Sequence, residues 1–204
     1  MFKNINKNKI KLFNNLKNQQ AGFTLVEALT AIFILTFVVV GLMTVVSDSL
    51  FATKYAKDEI TANYLLQEAI DYVRNDRDTS VFLSTLGIEQ SWTNFYQRYV
   101  NAGCNNETYG CALDVNTDEG NLVACPSAGC SSLYLKEVLS VDDKYFYSTN
   151  NGLPTDGKIK TNFKRTLKVT SKNEGQIDVE VLVSWKNGNS SRSRNLKTTL
   201  SRWQ

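Results

Sequence analysis

Histidine is absent from all 204 residues. That absence removes His-based catalytic triads and dyads, His-containing zinc sites and any His switch near neutral pH. A phosphate-binding loop and a Gly-rich dinucleotide fingerprint are also missing, and no Ser or Cys has a base partner suggested by its surroundings. The chain therefore reads as a non-enzyme without a cofactor. Acids are missing from residues 1–22, proline from residues 23–46, and both glycine and proline from residues 42–86. Apolar side chains are not scarce. At 42% hydrophobic and 21% charged, the composition excludes disorder, low complexity and a collagen-like chain, and the length suits about one domain plus a tail.

The net charge of +3 conceals three blocks. Residues 1–22 carry five lysines and contribute +5, residues 23–157 contribute −10, and residues 158–204 contribute +8. The first block precedes an apolar run, residues 23–46, reading FTLVEALTAIFILTFVVVGLMTVV, in which Glu27 is the one charge. As a helix this run spans about 36 Å, enough to cross a bilayer core. The preceding lysines hold the N-terminus in the cytoplasm and put everything after Val46 outside. A cleaved secretory signal has a shorter apolar region, and VVSDSLFA is a poor cleavage site. A plain membrane anchor fits the length but leaves Glu27 unexplained, since a carboxylate in a spanning helix costs at least about 2.5–3.5 kcal/mol.

The residues around that charge, Ala21-Gly22-Phe23-Thr24-Leu25-Val26-Glu27, resemble the processing site of the type IV prepilin and pseudopilin family. The resemblance covers about 25 residues and includes the leader charge, the cleavage residues, the acid and the apolar run. It implies that a prepilin peptidase cuts after Gly22 and N-methylates Phe23. Glu27 becomes the fifth mature residue, one helical turn from the new amine. In a filament the resemblance places Glu27 against the Phe23 amine of a neighbouring pilin, where a neutralised pair sets axial register. It further implies membrane lipid as the surroundings before assembly, an inner-membrane assembly platform as partner, and a surface or envelope-spanning filament as destination.

Beyond the membrane, Phe51, Tyr55, Ala62, Leu65, Leu66, Ala69, Ile70 and Val73 recur at three- and four-residue steps, so one helix is expected over residues 23–74. The expected organisation is a leader over 1–22, a spanning helix over 23–46, an amphipathic helix over 47–78 and a head over 79–204. The fold class is α+β, a long helix packed on an antiparallel sheet in the manner of a pilin lollipop. Trp92, Phe95, Tyr96 and Tyr99 read as the core side of a short helix. Cys104, Cys111, Cys125 and Cys130 lie in a disulfide-rich region over 104–130, and only the second pair approaches the spacing of zinc ligands. Outside the membrane they form two disulfides. All three pairings stay open, with slight preference for the nested one, in which a hairpin centred near Asp118 sets Cys111 opposite Cys125. Asp114, Asn116 and Asp118 begin like a calcium loop. Glu119 and Cys125 break that pattern at its sixth and twelfth positions, so a solvated turn is the stronger reading. Phe163, Leu167 and Val169, then Ile177, Val179, Val181, Val183 and Trp185, alternate as strands. With the hairpin signal Asn187-Gly188 and residues 192–203 they make a β-meander over 163–203.

The basic C-terminal block offers Lys164, Lys168, Arg192, Arg194 and Arg202 for docking on an acidic neighbour or for DNA phosphates. The interspersed Asp178 and Glu180 and the shortage of exposed-looking aromatics favour docking or solubility over DNA. A minor pilin is favoured by the cysteine-stapled head. The competing readings are a pseudopilin of a type II secretion or competence system, and an anchored extracellular binding domain that never assembles.

Overall fold

A computed structural model describes residues 22–82, 85, 87–115, 121–137, 145–149 and 159–202. Helix α1, Leu25–Phe82, runs eight residues past the expected end at Arg74. Asp76 explains the extension. Its carbonyl accepts the Ser80 hydroxyl at 2.6 Å, and its carboxylate accepts from Tyr99 and Arg98, so the last turns are held by tertiary partners that the apolar periodicity does not reveal. The chain divides into two units that part between Thr53 and Lys54.

In the first unit no described residue is buried. Its part of α1 is apolar on every side, and α1 is long and apolar enough near its N-terminus to cross a membrane. Five hydroxyls along it are internally satisfied. Thr30 donates to the Glu27 carbonyl at 3.0 Å, Thr36 to Phe33 at 2.9 Å and Thr44 to Gly41 at 2.8 Å, and Ser47 and Thr53 make the same backward bond. Each hydroxyl so bonded costs a lipid environment little.

The second unit combines the rest of α1, helix α2 (Ile88–Asn101) and seven antiparallel strands: β1 (Cys111–Asp114), β2 (Asn121–Ala124), β3 (Ser132–Glu137), β4 (Tyr145–Ser148), β5 (Ile159–Asn173), β6 (Gln176–Asn187) and β7 (Ser190–Ser201). The expected meander is β5–β6–β7, paired along its length. Four short strands extend it. β6 lies along one edge of β5, while β1 and β3 share the other, β1 at Leu167 and β3 from Lys164 to Ile159. Phe163, Leu167 and Val169 of β5, every second residue from Ile177 to Trp185 on β6, and Leu200 of β7 form one buried face. It closes over Ala62, Leu65, Leu66, Ala69, Ile70 and Val73 of α1. Trp92, Phe95 and Tyr99 of α2 complete this core, with ring centroids 5.7 and 5.2 Å apart in succession. Burial, then the nearby Asp76 carboxylate, pushes the Tyr99 hydroxyl far above its ordinary range.

Two local expectations need correction. The β6–β7 loop is Gly188-Asn189, because Asn187 already pairs with Ser190, and Gly188 supplies the positive φ of 60° that the first loop position requires. The preferred nested disulfides give way to the local pairs Cys104–Cys111 and Cys125–Cys130. The expected hairpin forms, but Cys111 stands opposite Ala124 rather than Cys125. That one-residue offset turns Cys125 to the other face, where it clusters with Ala112 and Cys130, while Cys104 and Cys111 enter the main core.

Candidate functional site

At the N-terminal segment, Thr24 ends the extended chain and caps α1. The Glu27 N–H donates to Thr24 Oγ1 at 3.3 Å, and the Ala28 N–H to the Thr24 carbonyl at 3.2 Å. Thr24-x-x-Glu27 is thus the sequence pattern of a capping box, a signal for Thr24 that the apolar reading passed over. The cap fixes where the helix begins, leaving Phe23 one residue outside it and 80% exposed. It also sets the Glu27 carboxylate in the first turn, where the partial positive charge of the helix N-terminus favours an anion. With the Thr30, Thr36 and Thr44 hydroxyls bonded backward, the Glu27 carboxylate has no hydrogen bond or ion pair among the described residues. A Cβ added to Gly22 would meet nothing within 4 Å. Among the described residues, neither space nor a left-handed backbone calls for glycine there.

In the head, Asp114 is buried, and its Oδ2 accepts the Ser148 hydroxyl at 2.5 Å and the Thr149 N–H at 2.9 Å. Asn116 and Asp118, the other weak calcium candidates, lie outside the described residues, as do Glu119 and Trp203. The five basic candidates do not form one patch. Arg192 and Arg194 fall in the inward phase of β7, opposite Trp185 and Val183. Arg192 stands 5.6 Å above the Tyr55 ring, and Arg194 Nε donates to Glu59 at 2.9 Å. The Arg194 and Tyr55 hydrogen bonds hold the Glu59 carboxyl below its usual range. Lys164 and Lys168 point from β5 to the opposite, outer face, and Lys168 donates to the Glu107 carbonyl at 2.6 Å. Arg202 reaches Glu89 at 3.5 Å.

Arg165 carries a role that alternation concealed. It occupies the inward phase between Phe163 and Leu167 and is 1% exposed. Its guanidinium meets Glu68 at 2.5 Å and donates to the carbonyls of Leu65 and Leu113. One side chain thereby ties β5 to α1 and β1. A cation in the apolar phase of a strand was the available signal.

The family model of the prokaryotic N-terminal methylation motif matches residues 17–43, the leader signature of type IV prepilins. No curated protein and no solved structure matches the chain.

Proposed function

We propose that this chain, which carries the type IV prepilin leader signature, is a structural minor pilin. It is cut after Gly22, N-methylated at Phe23, and drawn from the membrane into a filament through the apolar part of α1. One observation supports the reading above the others: Glu27 is a carboxylate without a partner among the described residues, set in an apolar helix one turn from the amine that cleavage would create. Before assembly the carboxylate sits at a cost in lipid. A neighbouring subunit's Phe23 ammonium would relieve that cost, while a subunit out of register would leave both charges unpaired. Apolar contact between helices supplies the bulk of the adhesion, and the pair selects the register.

The inert surroundings of Gly22 support the same reading, because a glycine that the chain's own fold does not require is explained by an enzyme that must approach the backbone. Prepilin peptidase and an inner-membrane assembly platform are the partners this pathway entails, with the head outside the cell membrane. Mass spectrometry of the N-terminal peptide, from membranes and from sheared surface filaments, tests it. The expected result is a chain beginning at N-methylated Phe23 in both fractions. Processed chain confined to the envelope would assign a pseudopilin instead. An unprocessed chain in a cell with working peptidase would overturn the filament reading and leave an anchored binding domain.

A further inference from the structure

The outer face of the sheet, turned away from α1, is divided by charge. At one end Lys168 stands beside Glu180 and Lys197, and Thr170 beside Asp178 and Thr199. The acids there are engaged: Asp178 meets Lys197 at 3.3 Å and accepts the Thr199 hydroxyl at 2.6 Å, and Glu180 accepts from Asn195. At the other end Lys164 stands between Ser132 and Ser184, and Lys186 is paired with Ser191. A groove of about 400 Å³ opens there, lined by Lys164, Lys186, Ser132, Ser184, Ser191 and Asn162 beside the buried Trp185. Among the described residues no acid lines it and neither lysine joins an ion pair.

Distance keeps the two ends electrically separate. Glu180 lies four residues along β6 from Ser184, roughly 13 Å at the rise of a strand. That exceeds the Debye length of about 8 Å at physiological salt, so the acids at the far end do not neutralise the groove. The donors also discriminate among anions. A planar carboxylate is best met by the fork of an arginine, and the groove has none. Two compact ammonium groups and three hydroxyls, approaching from four strands, suit a tetrahedral oxyanion, while the Asn162 amide at its edge already donates to the Lys186 carbonyl at 2.6 Å. Lys160, exposed on the same face of β5, continues the basic row, so the ligand is a chain of anions rather than one ion.

We propose that this end of the outer face binds a phosphodiester polymer, with one phosphate seated between Lys164 and Lys186. The inference goes beyond the assembly reading and does not rest on it. The test uses the full chain in detergent micelles and a labelled 20-residue oligothymidylate, followed by fluorescence anisotropy at increasing salt. Lys164→Gln with Lys186→Gln is expected to weaken binding about tenfold and to flatten the log–log salt slope by about 1.4, the share of two single-strand phosphate contacts. Lys168→Gln with Lys197→Gln removes the same formal charge at the other end and is expected to change affinity less than about twofold. All four positions are on the surface of the sheet, and unchanged circular dichroism will confirm that both variants fold. Equal losses from the two pairs would reduce the effect to net charge and overturn the proposal. So would failure of the unaltered chain to bind, or equal competition by polyglutamate, which offers carboxylates in place of phosphates.

Discussion

Arg165 is held by two elements that its position in β5 could not announce, and its loss is expected to be felt in both. Arg165→Ala removes a hydrogen bond from each of two carbonyls and the partner of Glu68, so we expect a loss of about 3 kcal/mol in chemical denaturation. Arg165→Met, which refills the space with apolar atoms, should cost less. Gly110 is constrained differently. Its φ is 60°, and a Cβ there would sit 2.5 Å from the Leu167 carbonyl oxygen of β5. Gly110→Ala must therefore push β5 away or twist the chain, and should lower stability by about 2 kcal/mol or more in the same measurement. The sequence shows the glycine but not the strand that crowds it. Glu27 lies at the opposite limit, where one charge in an apolar run is visible without any fold. Glu27→Gln should leave cleavage after Gly22 intact and deplete the chain from sheared filaments, as immunoblotting of the two fractions would report.

Among the elements, those with long local patterns were readable and those made by distant pairing were not. The alternation of β6 and the stripe of α1 each repeat within one segment, so the core they form could be anticipated. β3 and β4 are six and four residues long; they pair with each other, and they join the sheet through β3 against β5, more than twenty residues away. The disulfides failed for a smaller reason, a one-residue offset in a hairpin otherwise placed correctly. The seam of α1 with β7 was also hidden, since Glu59 and Arg194 are 135 residues apart. This seam should respond to acid. The folded Glu59 carboxyl is depressed below 4.5, chiefly by its Arg194 hydrogen bond, so its contribution is fully present above about that pH and lost as pH falls through the lowered folded value. Hydrogen exchange along β7 is expected to quicken in that window, and Glu59→Gln should abolish the pH dependence.

For the whole molecule, the buried core of the described residues begins at Ala62, and no described residue before Lys54 contributes to it. A chain starting at Lys54 is therefore expected to be soluble without detergent and to unfold cooperatively, checked by gel filtration and thermal denaturation. The full chain should need detergent or lipid because of the exposed apolar residues from Phe23 to Phe51. The same arrangement governs when the head can form. The α1 stripe is made early in synthesis, but its covering strands, β5 to β7, come from residues 159 to 201. Until that last quarter of the chain has arrived, Leu65, Leu66 and Ile70 have no lid, and both disulfides close within loops too short to hold the stripe against anything distant. The order of events is set accordingly: the anchor is seated first and the fold closes last, so a chain that stops short of β7 remains tethered with its helix uncovered, a ready target for a protease that recognises unfinished work.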